Sequence, residues 1–165
     1  MAQEETVRQK YRDLTLLLID KGITISTMES CTSGQIASLI TDTEGSSAVF
    51  RGSYVTYLNS EKIRLGVPAE VIDSYGVYSE QTASEMARLC RRDFRTDLGV
   101  GISGTFGNTD PNNSDSVPGE VFFAISTAKE TRSFHCNVPV QKTRLDYKLH
   151  MADVVADRIL EAIGK

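Results

Sequence analysis

The sequence predicts an α/β fold, a mixed sheet covered by helices on both faces. Three observations carry this. Residues 23–43 run strand, tight turn, helix; helices and strands keep alternating to about residue 103; and residues 120–138 form two short runs with hairpin character. Early alternation calls for parallel strands joined by crossover helices, and a late hairpin adds antiparallel pairing. At 165 residues the chain is expected to form one domain, residues 1–165, with a core that needs no staples.

Residues 4–21 place Val7, Tyr11, Leu14, Leu17 and Leu18 at helical spacing, and Gly22 suits the end of that helix. A strand over 23–28 and a turn follow, then a helix over about 33–43 that stops near Gly45. Residues 48–58 are rich in β-branched and aromatic types and are expected to be a strand. Asn59 or Ser60 is expected to cap the next helix, Pro68 opens another, and Gly76 closes it. Ser79 caps a helix over about 80–94 that sets Ala83, Met86, Ala87 and Cys90 on one face. A buried strand covers 97–103, and a polar loop runs from Gly104 to Pro118. A loop of that length in a small domain is functional or disordered. Strands over 120–127 and 131–138 and a helix over about 142–163 complete the reading.

The composition, 40% apolar and 24% charged with a formal charge of −4, is that of a globular protein and argues against a nucleic-acid partner. No apolar stretch approaches the ~20 residues that span a bilayer, so no membrane partner is expected. Cys31, Cys90 and Cys136 are odd in number and lack CxxC spacing. They fit reduced thiols and a cytoplasmic location better than a disulfide framework. With only His135 and His150 and no HExxH, neither a metal site nor any other cofactor is expected.

The chemistry concentrates in Glu29-Ser30-Cys31-Thr32-Ser33-Gly34. A helix start leaves backbone N–H groups unpaired, which suits an anion or a developing oxyanion, here from Thr32 to Gly34. Ser30 needs a base within reach. His135 and His150 sit where packing or surface roles suffice, whereas Lys62 follows a strand that can run beside the one carrying Ser30. A lysine base needs its pKa lowered by burial or a neighbouring cation. Tyr57, at that strand's end, could share a proton network with both. Cys31 is the rival nucleophile, because a helix N-terminus lowers a thiol pKa. Glu29 is either a cap acceptor or a substrate ligand. The run from Gly101 to Gly107 suits close backbone approach to a phosphate. Asx-type turns explain Asn108, Asp110, Asn112 and Asn113 more simply than a cation does.

The string Glu29 to Gly34 resembles the ESCTGG signature of the C-terminal domain of the competence/damage-inducible protein CinA, a family that includes stand-alone nicotinamide-nucleotide amidohydrolases. The likeness continues through Gly45-Ser46-Ser47-Ala48-Val49-Phe50, Val55-Thr56-Tyr57, Asn59, Lys62, Leu65-Gly66-Val67-Pro68 and Gly76-Val77-Tyr78-Ser79-Glu80, and reaches Gly101-Ile102-Ser103-Gly104. It implies a three-layer α/β/α sandwich with a mixed sheet. It also implies hydrolysis of the carboxamide of nicotinamide mononucleotide to nicotinate mononucleotide and ammonia, a step of pyridine nucleotide salvage. The catalytic residues it implies are Ser30, Tyr57 and Lys62. Substrate contacts would come from Glu29, Thr32, Ser33, Gly34, Gly104, Thr105, Lys142 and Arg144. A small-molecule nucleotide substrate and a homo-oligomer are implied as well. The chain departs from the family pattern at Ser33, where the first glycine of the signature is usual, and throughout 105–120, where the lysine before Pro118 is absent. It departs again near Val140-Gln141-Lys142, where a basic stretch is usual. A pocket that loses cations binds a phosphate less well. The alternatives are a non-catalytic nucleotide- or partner-binding relative and an amidohydrolase for another small amide.

Overall fold

The computed structural model describes residues 2–164. Five strands form one sheet in the order β2-β1-β3-β4-β5: β1 Ile25–Glu29, β2 Phe50–Val55, β3 Leu98–Gly104, β4 Glu120–Ser126 and β5 Thr131–Asn137. β1 pairs in parallel with both β2 and β3, and the β3-β4-β5 side is antiparallel. The mixed sheet expected from the alternation and the late hairpin is present.

The helices divide between the two faces. On one lie α1 Ala2–Lys21, α2 Gln35–Thr41 and α6 Arg144–Ala162, whose apolar faces meet Ile25, Val100, Ile102, Val121 and Phe123 in the larger core. On the other lies α5 Glu80–Phe94, with α4 Ala69–Tyr75 beside it, packed on Met28 and Ala124. The short α3 Asn59–Leu65 precedes α4. The chain is a three-layer α/β/α sandwich. The first parallel crossover leads from β1 to its neighbour β2, and the second leads back from the edge strand β2 past β1 to β3, so the two run in opposite directions across the sheet. A shared right-handed twist sends them to opposite faces, so α2 covers one side and α3 to α5 the other. No helix among the described residues is long and apolar enough to cross a membrane.

Several expected signals act as their chemistry dictates. Ser79 accepts from the Thr82 N–H at the start of α5, Gly76 takes a positive φ after α4, and Thr143 with Asp146 forms a reciprocal cap on α6. Others differ. The stretch expected as a strand from 48 begins with a single 3₁₀ turn at Ser46–Ala48, and the strand itself is Phe50–Val55. Neither Asn59 nor Ser60 caps α3. Leu58 is the N-cap residue, and the Asn59 amide donates instead to Asn113 Oδ1, 2.8 Å away.

Glycine in β3 serves packing. A side chain at Gly99 or Gly101 would collide with the α5 backbone at Ala87 and Ala83, and one at Gly104 would press on Val121 of β4. This stretch therefore lets a helix and a strand lie close to β3. Of the run from Gly101 to Gly107, expected to let backbone approach a phosphate, Gly101 packs under α5, while Gly104, Thr105 and Phe106 line a cleft.

Candidate active site

Strand alternation fixes which way each residue looks. In β1, Ile25 joins the α1/α2/α6 core while Met28 joins the α5 core. Glu29 follows Ile25's parity toward α2. Ser30, whose N–H still bonds the Ile102 carbonyl, continues Met28's parity toward α3 and α5. In β2, Ser53 pairs with Thr27 on the α2 side, and Tyr54 packs against Phe94, the rings tilted by 45°, on the α5 side. Thr56, bonded through its N–H to the Glu29 carbonyl, shares Tyr54's side.

Lys62 comes down onto that side from α3. Its Nζ lies 3.2 Å from Ser30 Oγ and donates to the Thr56 carbonyl at 3.0 Å. It is only 1% exposed, whereas Ser30 retains 9%. Burial lowers the Lys62 pKa from 10.5 to about 8, against the opposing pull of Cys31 and the Asp110 carboxylate. A hydroxyl and an amine that readily sheds its proton thus share a nearly closed pocket.

The other expected site residues separate into two groups. Gly104, Thr105 and Arg144 line a cleft of about 390 Å³ that opens beside Ser30. The buried Thr105 hydroxyl has no hydrogen-bond partner among the described residues. Arg144 stands 5.4 Å above the Phe106 ring. Glu29, Thr32, Ser33, Gly34 and Lys142 do not line the cleft. Glu29 is fully buried. It accepts from the Thr32 hydroxyl and from the Ile36 and Ala37 N–H groups at the start of α2, which is the cap role and not the ligand role. Thr32 is turned inward by that bond. Ser33 is exposed, with φ 53°, and Lys142 is also exposed.

Tyr57 departs from the expected proton network. One residue beyond Thr56, alternation turns it to the α6 side, where it is 59% exposed and its hydroxyl accepts from Arg144 at 3.3 Å. It stands at the mouth of the cleft and bonds neither Ser30 nor Lys62. The oxyanion expectation also narrows. The Ser33 N–H closes a turn on the Ser30 carbonyl, while those of Cys31, Thr32 and Gly34 donate to no oxygen among the described residues.

Cys31 does not fit the rival role. Burial and the charge of Glu29 push its thiol up to about 12, overcoming the helix start and the nearby Lys62. Thr56, Tyr78 and Asp110, not expected among the site residues, also belong to it. The Tyr78 hydroxyl donates to Asp110 Oδ2 at 2.6 Å, and burial together with that carboxylate pushes the phenol pKa well up. A larger surface cleft of about 720 Å³, walled by residues such as Glu4, Arg8 and Asp42, lies between α1 and the turn after α2, with neither Ser30 nor Lys62 in its walls.

Among known proteins, the family described as the CinA C-terminal domain matches residues 7–162. A putative competence-damage inducible protein of Desulforudis audaxviator is 47% identical over 116 residues, 70% of this chain and 28% of that protein. A CinA-like protein of Flavobacterium psychrophilum is 40% identical over 155 residues, 90% of this chain and 36% of that protein. The chain thus spans about a third of the length of these curated relatives. The crystal structure of competence/damage inducible protein CihA from Agrobacterium tumefaciens superposes with a TM-score of 0.84 at 26% identity, covering 94% of each chain. That of a competence or damage-inducible protein from Enterobacter asburiae gives 0.86 at 25% identity, covering 96% of this chain and 98% of the other.

Proposed function

The chain belongs to the CinA C-terminal domain family, and from that premise we propose that it hydrolyses the carboxamide of nicotinamide mononucleotide to nicotinate mononucleotide and ammonia. The observation that carries the reading is the 3.2 Å contact between Ser30 Oγ and Lys62 Nζ in a buried pocket.

In this mechanism neutral Lys62 takes the hydroxyl proton as Ser30 Oγ attacks the amide carbon. The Thr56 carbonyl orients the amine. The N–H of Cys31, which lines the cleft beside Ser30, meets the oxyanion, a donor of this kind being worth about 3–4 kcal/mol. The Lys62 ammonium then gives its proton to the departing amide nitrogen, which leaves as ammonia, and an acyl-serine remains. Lys62 next takes a proton from the incoming water, and that proton returns to Ser30 as the acid is released. Arg144, above Phe106 and beside Tyr57, is the cation placed to meet a substrate phosphate.

Purified protein is expected to release ammonia from nicotinamide mononucleotide, and Ser30→Ala to lower kcat by at least about 10³-fold. Full activity in Ser30→Ala would remove the nucleophile assignment. A second reading, an amidohydrolase for another small amide, is favoured by the cleft's charge, since among the described residues Arg144 is the one cation lining it and the Asp110 carboxylate lines it too. Ammonia release across a panel of phosphorylated and unphosphorylated amides separates the two readings. Thermal stabilisation by nucleotides with no turnover of any amide would indicate a binding protein.

A further inference from the structure

The 105–119 loop is tied down by one carboxylate. Asp110 Oδ2 accepts from the Tyr78 hydroxyl and the Asn113 amide, both at 2.6 Å, while Oδ1 accepts from the Asn112 N–H at 2.8 Å. Asn113 in turn holds Asn59, at the start of the helix that carries Lys62. Asp110 therefore lines the same cleft as Ser30 while its loop is bonded to α3.

We propose that Asp110 is a positioning residue for the reaction, holding the loop over Ser30 and supplying the counter-charge against which Lys62 gains and loses its proton. This rests on the serine–lysine reading of the site. Against the upward push of burial, the bonds from Tyr78, Asn113 and the Asn112 N–H, together with the Lys62 charge, keep Asp110 ionised. Its field reaches Lys62 in return. Few other charged or titratable groups face Lys62. Cys31, from the turn after β1, carries a raised thiol pKa and stays neutral, and Glu29 lies on the far side of β1, bonded to α2. Tyr57 and Arg144 stand at the mouth of the cleft. A fixed carboxylate in the cleft is thus the device that offsets the burial of an ammonium formed during turnover.

The test is the titration of Lys62 itself, followed by NMR of protein labelled at lysine ¹³Cε and assigned with Lys62→Arg. It needs no substrate, so it stands even if the amide substrate is misassigned. Asp110→Asn keeps the shape and removes the charge. It is expected to move the Lys62 titration down by about 0.5–1 pH unit. If ammonia release is measurable, the acid limb of kcat/KM moves down by the same amount. Asn59→Ala leaves Asp110 charged but unties the loop from α3, and is expected to move Lys62 the same way by less; it also serves if Asp110→Asn does not fold. Asp115→Asn, an exposed carboxylate of the same loop, should leave Lys62 where it is. An unmoved Lys62 in Asp110→Asn, or an equal shift in Asp115→Asn, overturns the proposal.

Discussion

Lys62 is a cation enclosed by protein on a helix of seven residues, and in the proposed mechanism its protonation decides when Ser30 can be activated. Acting as a base, it must be neutral when the substrate arrives. Its pKa of about 8 therefore sets an acid limb: kcat/KM rises with pH and levels off above about 8. A profile flat from pH 6 to 10 would exclude Lys62 as the base. Ser33 shows a different single-residue effect. It takes a left-handed φ of 53°, a conformation that favours glycine. A residue with a Cβ pays about 1–2 kcal/mol there, and glycine loses part of that gain to its freer unfolded chain. Ser33→Gly is expected to raise unfolding free energy in urea by about 0.5–1 kcal/mol.

At the scale of elements, the approach of α5 to the sheet depends on missing side chains in β3. A Cβ at Gly101 would meet the Ala83 carbonyl and the Ala87 N–H, backbone atoms that cannot rotate away. Gly101→Ala should destabilise the protein by about 1–3 kcal/mol, seen as a lower urea midpoint with the slope unchanged. A wild-type midpoint would mean that α5 shifts freely. The sequence showed these glycines but not their partner, since α5 becomes their neighbour only when it folds back onto the sheet. The same limit explains Glu29. Its two readings, cap or ligand, are separated by parity in β1 and by the α2 start it faces, and the cap role is the one observed. Local signals fared better. Ser79 caps α5 and Gly76 ends α4 because those bonds close within a few residues.

Across the whole molecule, the site lies at the C-terminal ends of β1, β2 and β3, where the connections that follow the neighbouring strands β1 and β2 leave toward opposite faces and open a crevice. Holding Lys62 there costs stability in a pH-dependent way. In the unfolded chain it titrates near 10.5, and in the folded protein near 8. Below about pH 8 both states are protonated and the cost is carried in full. Between the two values the unfolded chain binds the extra proton, so stability rises with pH across that window. Measured as wild type against Lys62→Met, which cancels the thiols and phenols common to both, the gain of wild type on going from pH 7 to 10.5 is expected to be about 3 kcal/mol. A constant difference would show that Lys62 titrates normally. By itself the sequence determined the order of helices and strands, the presence of a hairpin, and the turn that carries Ser30, because those rest on periodicity and bonds between near neighbours. Only the tertiary structure decided that Lys62 reaches Ser30, that Tyr57 turns away toward Arg144, and that Asp110 faces the cleft. Those outcomes depend on pairing register and on the face to which each crossover returns, and both are set by contacts between residues far apart in the chain.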